Sequence, residues 1–119
     1  MVSPSLPPKG QSMINVIIKM IVSADKRNEV LITLKELLDQ IRYERGCVSC
    51  HCYLDVEAED VVIIVHEWKS DEALAAHFRS SHFRVLRGAM EMLAIEPVIS
   101  INTFVATKGF EAITAAQGG

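Results

Sequence analysis

Residues 61–65 read Val-Val-Ile-Ile-Val, apolar at every position, so a strand built from them has two apolar faces. Val61, Ile63 and Val65 point one way, and Val62 and Ile64 the other. Residues 13–22 are apolar almost throughout, with Ile14, Val16, Ile18, Met20 and Val22 opposite Ile17 and Ile21. A sheet of such strands needs cover on both sides. Helices provide one layer. Monomers rarely expose an apolar patch beyond roughly 300–600 Å², so a two-fold partner is expected over the other face, making a homodimer.

The remaining pattern supplies the helices. Asp25 offers an N-cap, followed by Val30, Leu31, Leu34, Leu37, Leu38 and Ile41 at helical spacing. Gly46 is expected as the C′ residue of that helix, after Arg42 and Arg45. Residues 47–56 and 61–68 form a hairpin across the acidic loop from Glu57 to Asp60. Ser70 caps a short helix opened by Asp71 and Glu72; Ser80 and Ser81 break it, and either of them is a candidate cap for the helix that follows. A further helix carries Phe83, Leu86, Met90 and Leu93, and a last strand spans 98–107 after Pro97. The order βαββαβ predicts an α+β, ferredoxin-like fold: a four-stranded antiparallel sheet with its helices on one side.

At 119 residues the chain supports one domain, placed at 13–107, between a Pro- and Ser-rich leader (1–12) and a tail (108–119). Half the residues are hydrophobic and 23% charged, which is globular composition. A net charge of −3 leaves no basic footprint for nucleic acid. The apolar runs are too short to cross a membrane, and the leader lacks the apolar core of a secretory signal. Three cysteines, an odd number, suggest reduced thiols in a cytoplasmic setting.

Chemistry-bearing residues concentrate between Tyr43 and Phe83. His66 and Trp68 share a face at the end of the third strand, His77 and Phe78 belong to the next helix, and His82 and Phe83 open the one after. The break at Ser80 and Ser81 is expected to leave a gap beside that strand end, walled by aromatics as a small flat ligand requires. Each residue also has a structural reading. His77 fits a satisfied core histidine, Trp68 a core tryptophan, and His66 a strand residue bonded to a carbonyl. His82 sits at a helix start, where the dipole favours a neutral imidazole able to accept a proton. Cys47, Cys50 and Cys52 flank His51, but on a regular strand Cys47 and Cys50 face opposite sides, which argues against a metal site.

Three segments together resemble the antibiotic biosynthesis monooxygenase family, with the flavour of bacterial quinol monooxygenases. They are Gly46-Cys47, His66-Glu67-Trp68-Lys69-Ser70, and Ala76-His77-Phe78-Arg79-Ser80-Ser81-His82-Phe83. The resemblance implies a dimeric α+β barrel and oxygenation with no cofactor, neither flavin, haem nor metal. The partners would be a small aromatic, quinol-like substrate and molecular oxygen. By this likeness His77 is the base or anion partner and His82 its helper, while Trp68, His66, Phe78 and Phe83 contact substrate. Relatives often carry tyrosine where this chain has Cys50, so Tyr53 is the candidate substitute. No histidine lies from Leu86 to Met90, where the haem-degrading branch needs its iron ligand. Two other readings keep the fold: an isomerase for a small carbonyl compound, and a non-catalytic binding module.

Overall fold

A computed structural model describes residues 13–104 and 106–118. Strands β1 (Met13–Ile21), β2 (Cys47–Leu54), β3 (Val61–Trp68) and β4 (Val98–Phe104) form one antiparallel sheet in the order β2-β3-β1-β4. Helices α1 (Arg27–Arg42), α2 (Asp71–Phe78) and α3 (Ser81–Glu91) follow in the expected βαββαβ order. This is the ferredoxin-like arrangement predicted. The leader lies outside the described residues. Part of the tail forms a helix, α4 (Phe110–Gly118), with no buried residue.

Cross-strand partners share a face of the sheet, so the register identifies what the helices cover. Ile14 pairs with Trp68, Val16 with His66, Ile18 with Ile64 and Met20 with Val62, and all eight side chains are buried. Leu34, Leu37, Leu38 and Ile41 of α1, Leu74 of α2, and Leu86 and Met90 of α3 complete this core. The opposite face carries Ile17, Ile63 and Val65, half-buried, with Tyr53 and Val98 exposed. The central strands therefore carry apolar side chains on both faces, the outer one also bearing Asn15, Lys19 and Glu67. Among the described residues, no helix is long and apolar enough to cross a membrane.

Several local expectations change. Helix α1 begins at Arg27, with Lys26 in the cap position and no side-chain cap bond. Asp25 does not cap it: Lys26 N–H bonds the Ser23 carbonyl in a preceding turn, and a Ser23 hydrogen bond lowers the Asp25 pKa. The helix ends at Tyr43, so Gly46 is not its C′ residue. Gly46 instead adopts φ +86° in the turn into β2, where its carbonyl accepts from Lys69 N–H at 2.9 Å. Strand β4 stops at Phe104 rather than Thr107. The serine caps behave as expected. Ser70 Oγ accepts from Ala73 N–H, and Ser80 Oγ from Phe83 N–H, both at 3.1 Å.

Strand β2 holds the main correction. A bulge at Val48 separates the pair Cys47–Trp68 from the pair Ser49–Glu67, and Cys50 then pairs with His66. The extra residue brings Cys47, Cys50 and Cys52 onto one face, toward the core, instead of dividing Cys47 from Cys50. Burial there pushes the Cys47 thiol up to about 11 and the Cys50 thiol to about 12, so both stay protonated near neutral pH.

Candidate functional site

Strand β3 alternates, so His66 and Trp68 both face inward at its end. Helix α2 begins after only Lys69 and Ser70, which returns His77 onto those two rings. Trp68 and His77 stack with centroids 4.5 Å apart, and His66 meets His77 edge-on at 5.2 Å. Phe83 of α3 abuts His77 at 5.4 Å. The expected gap at the α2–α3 break is closed by Phe78 and Phe83, whose rings meet at 4.9 Å. His66, Trp68 and His77 are each at most 1% exposed. The rings assemble as predicted, but as a packed cluster.

Tyr53 does not join them. It pairs with Ile63 on the other face of the sheet, is half exposed, and has His51 for a neighbour. A cleft of about 260 Å³ lies between α1 and α3, lined by Met20, Val30, Leu37, Leu86, Met92 and Leu93 among others. None of the predicted site residues reaches it.

The hydrogen bonds give the cluster its chemistry. Trp68 Nε1–H donates to His66 Nδ1 at 2.6 Å, which replaces the strand-carbonyl bond considered for His66. His77 Nδ1 lies 3.0 Å from both carboxylate oxygens of Glu44, so its Nδ1–H donates there. His82 Nδ1 lies 3.4 Å from the same carboxylate and is about a third exposed. Glu44 was not among the predicted residues. It sits in the α1–β2 turn, 33 positions from His77, and no spacing rule connects the two. Its available signal was a charge in a short turn leading to a strand that runs beside β3.

Burial favours the neutral imidazole. It pushes His66 down to about 3, with help from neighbouring His77. His77 is also lowered by burial, against the opposing pull of the Glu44 carboxylate. The fixed Nδ1–H bond leaves the His77 Nε2 lone pair as its basic site. Both His66 Nε2 and His77 Nε2 are buried without a hydrogen-bond partner among the described residues.

A stability prediction follows from the buried His66. An unfolded chain takes up a proton below about 6.5, whereas folded His66 resists until about 3. Stability should therefore fall as pH drops through that window, by about 1.4 kcal/mol per unit from this group. Urea unfolding at pH 6.5 and pH 5 should differ by about 2 kcal/mol, with His77 acting in the same direction. Equal stabilities at the two pH values would contradict a neutral, buried pair.

The family model for antibiotic biosynthesis monooxygenase matches residues 13–89, from β1 through most of α3. The chain belongs to that family. A conserved protein from Methanosarcina mazei Go1 is 29% identical, with a TM-score of 0.72 over 77% of this chain and 92% of its own. A Bacteroides thetaiotaomicron VPI-5482 protein of unknown function, described as a possible oxidoreductase, is 26% identical, with a TM-score of 0.68 over 80% and 98%. Uncharacterized protein YjcS of Bacillus subtilis (strain 168) is 29% identical over 62 residues, 52% of this chain. The chain spans 59% of the length of that curated relative. Trp68, His77 and His82 all lie within the residues that the family model matches.

Proposed function

We propose that this protein oxygenates a small phenol or quinol without flavin, haem or metal, with His77 as the base. One observation carries the reading: the Glu44–His77 pair, buried beside Trp68, with the His77 Nε2 lone pair unclaimed. Glu44 fixes the tautomer and stabilises the imidazolium that forms when Nε2 takes a proton. His82 shares that carboxylate and helps to hold it.

An anthrone-type substrate illustrates the balance. In its phenolic tautomer the hydroxyl gives its proton to His77 Nε2. The anion passes one electron to oxygen, and the resulting radical and superoxide join as a carbon–oxygen bond. The imidazolium returns the proton to the distal oxygen. The O–O bond then breaks, leaving a carbonyl oxygen on carbon, and the other oxygen departs as water with the remaining carbon-bound hydrogen. Trp68, Phe78 and Phe83 supply an apolar surround in which the anion is poorly solvated and readily oxidised. Since Trp68 and His77 are in ring contact, the proposed entry displaces Phe83, which abuts the His77 ring edge-on.

Glu44→Gln tests the pair. The carboxylate raises the His77 pKa, so its loss should shift the acidic limb of the pH–rate profile to lower pH. Turnover should fall by roughly tenfold or more, as when a carboxylate that orients a catalytic imidazole becomes an amide. An unmoved limb measured by oxygen uptake would separate Glu44 from the reaction.

The assembly proposed is a homodimer through the sheet face bearing Ile17, Ile63, Val65 and Val98. Sedimentation equilibrium should give twice the chain mass, and Ile63→Asp should shift the population to monomer. A monomeric wild type would remove the dimer.

A further inference from the structure

We propose that His66 is the second polar group of this site, an N–H donor that shares one substrate oxygen with His77. The inference rests on the reading of His77 as base and extends it to what the site selects.

Indole N–H can only donate, so its 2.6 Å bond assigns the lone pair to His66 Nδ1 and the proton to Nε2. Trp68 thereby acts as a positioning residue that locks the tautomer. His77 has the opposite arrangement, with its proton on Nδ1 toward Glu44 and its lone pair on Nε2. Two adjacent buried imidazoles thus carry one unpaired donor and one unpaired acceptor. A buried polar atom left so carries an unrepaid desolvation cost, which a ligand that pairs both would recover.

Their ring centroids are 5.2 Å apart, at an interplanar angle of 69°. An oxygen about 2.9 Å from each nitrogen spans two neighbouring rings of this kind once Phe83 moves to admit it. A hydroxyl fits both partners, donating to His77 Nε2 and accepting from His66 Nε2–H. After proton transfer the same oxygen is an anion facing two N–H donors, the arrangement that favours ionisation. A carbonyl lacks the proton that His77 accepts, and an aryl ether lacks it too. The site therefore selects a free phenolic or enolic hydroxyl and rejects its O-methylated counterpart.

The full chain can be tested with 2-hydroxyanthraquinone, a phenol whose anion absorbs in the visible, and with 2-methoxyanthraquinone. The bound phenol should ionise at least one pH unit below the free phenol, and His66→Phe should erase about one unit of that shift. The methoxy compound should bind at least tenfold more weakly. Nitrogen-15 NMR of the wild type should show a protonated His66 Nε2 whose signal moves on phenol addition. Trp68→Phe should give mixed tautomers instead. These spectra decide the matter if His66→Phe does not fold. An unshifted midpoint, no phenol binding, equal methoxy binding or a proton on Nδ1 would overturn the proposal. Oxygen uptake separates the two ideas. Full uptake in His77→Gln defeats the base reading, whereas uptake lost there but intact in His66→Phe, with the midpoint unchanged, defeats this one alone.

Discussion

Replacing His77 with glutamine should lower oxygen-dependent turnover of an anthrone-type substrate about 10²–10⁴-fold, the usual loss when a positioned base is removed. Glutamine still offers an N–H to Glu44, so the carboxylate keeps a partner and the fold should survive. What disappears is an atom able to hold a proton at the Nε2 position. The loss should appear chiefly in kcat at saturating substrate, where proton transfer is lost, with a smaller rise in KM from the missing hydrogen bond to the substrate hydroxyl. Far-UV circular dichroism and urea unfolding would establish that the variant is folded. Folded His77→Gln protein with unchanged oxygen uptake would show that His77 is a packing residue. Packing would then be the whole role of a ring stacked on Trp68 and almost wholly buried.

The largest structural effect is expected at Gly46. Its φ of +86° is unfavourable for any residue with a Cβ, and an added Cβ would collide with that of Ala73 in α2. Strain at such a φ costs about 1–3 kcal/mol, and overpacking costs a similar amount. Gly46→Ala should therefore destabilise the domain by about 2–4 kcal/mol. For a chain of this size that corresponds to a fall in Tm of roughly 8–16 °C. The two causes can be separated. Ala73→Gly removes the collision but not the strain, so Gly46→Ala made in an Ala73→Gly background should cost about half as much as it does in the wild type. An effect of Gly46→Ala below about 0.5 kcal/mol would contradict the turn geometry. Function is exposed to the same change, because Gly46 lies two residues from Glu44 and its carbonyl bonds Lys69, next to Trp68. A displaced turn moves the carboxylate away from His77.

The contrast between these residues explains what could be read from the chain. The strands were legible because alternation fixes side-chain direction locally: Val62, Ile64, His66 and Trp68 share a face by spacing alone. Ser70 and Ser80 were legible as caps because a cap bond spans three residues. The bulge at Val48 was not, since one inserted residue reverses every later side chain on β2 and leaves no mark in composition. The three thiols consequently share a face that simple alternation denied to Cys47. Glu44 stayed hidden because its partners are 33 and 38 positions away, in helices set by the tertiary fold. Tyr53 was placed by nearness in sequence to Cys50, yet an odd separation puts it on the other face. The expected gap failed for a related reason. The helix break at Ser80 is real, but Phe78 and Phe83 meet across it.

A crystal structure of the full chain with bound 2-hydroxyanthraquinone would test the central claim most directly. The account predicts the phenol oxygen about 2.6–3.2 Å from His77 Nε2, with Phe83 displaced and the Glu44–His77 bond kept. A ligand seated instead in the cleft between α1 and α3, with the four rings His66, Trp68, His77 and Phe83 as closely packed as before, would contradict it.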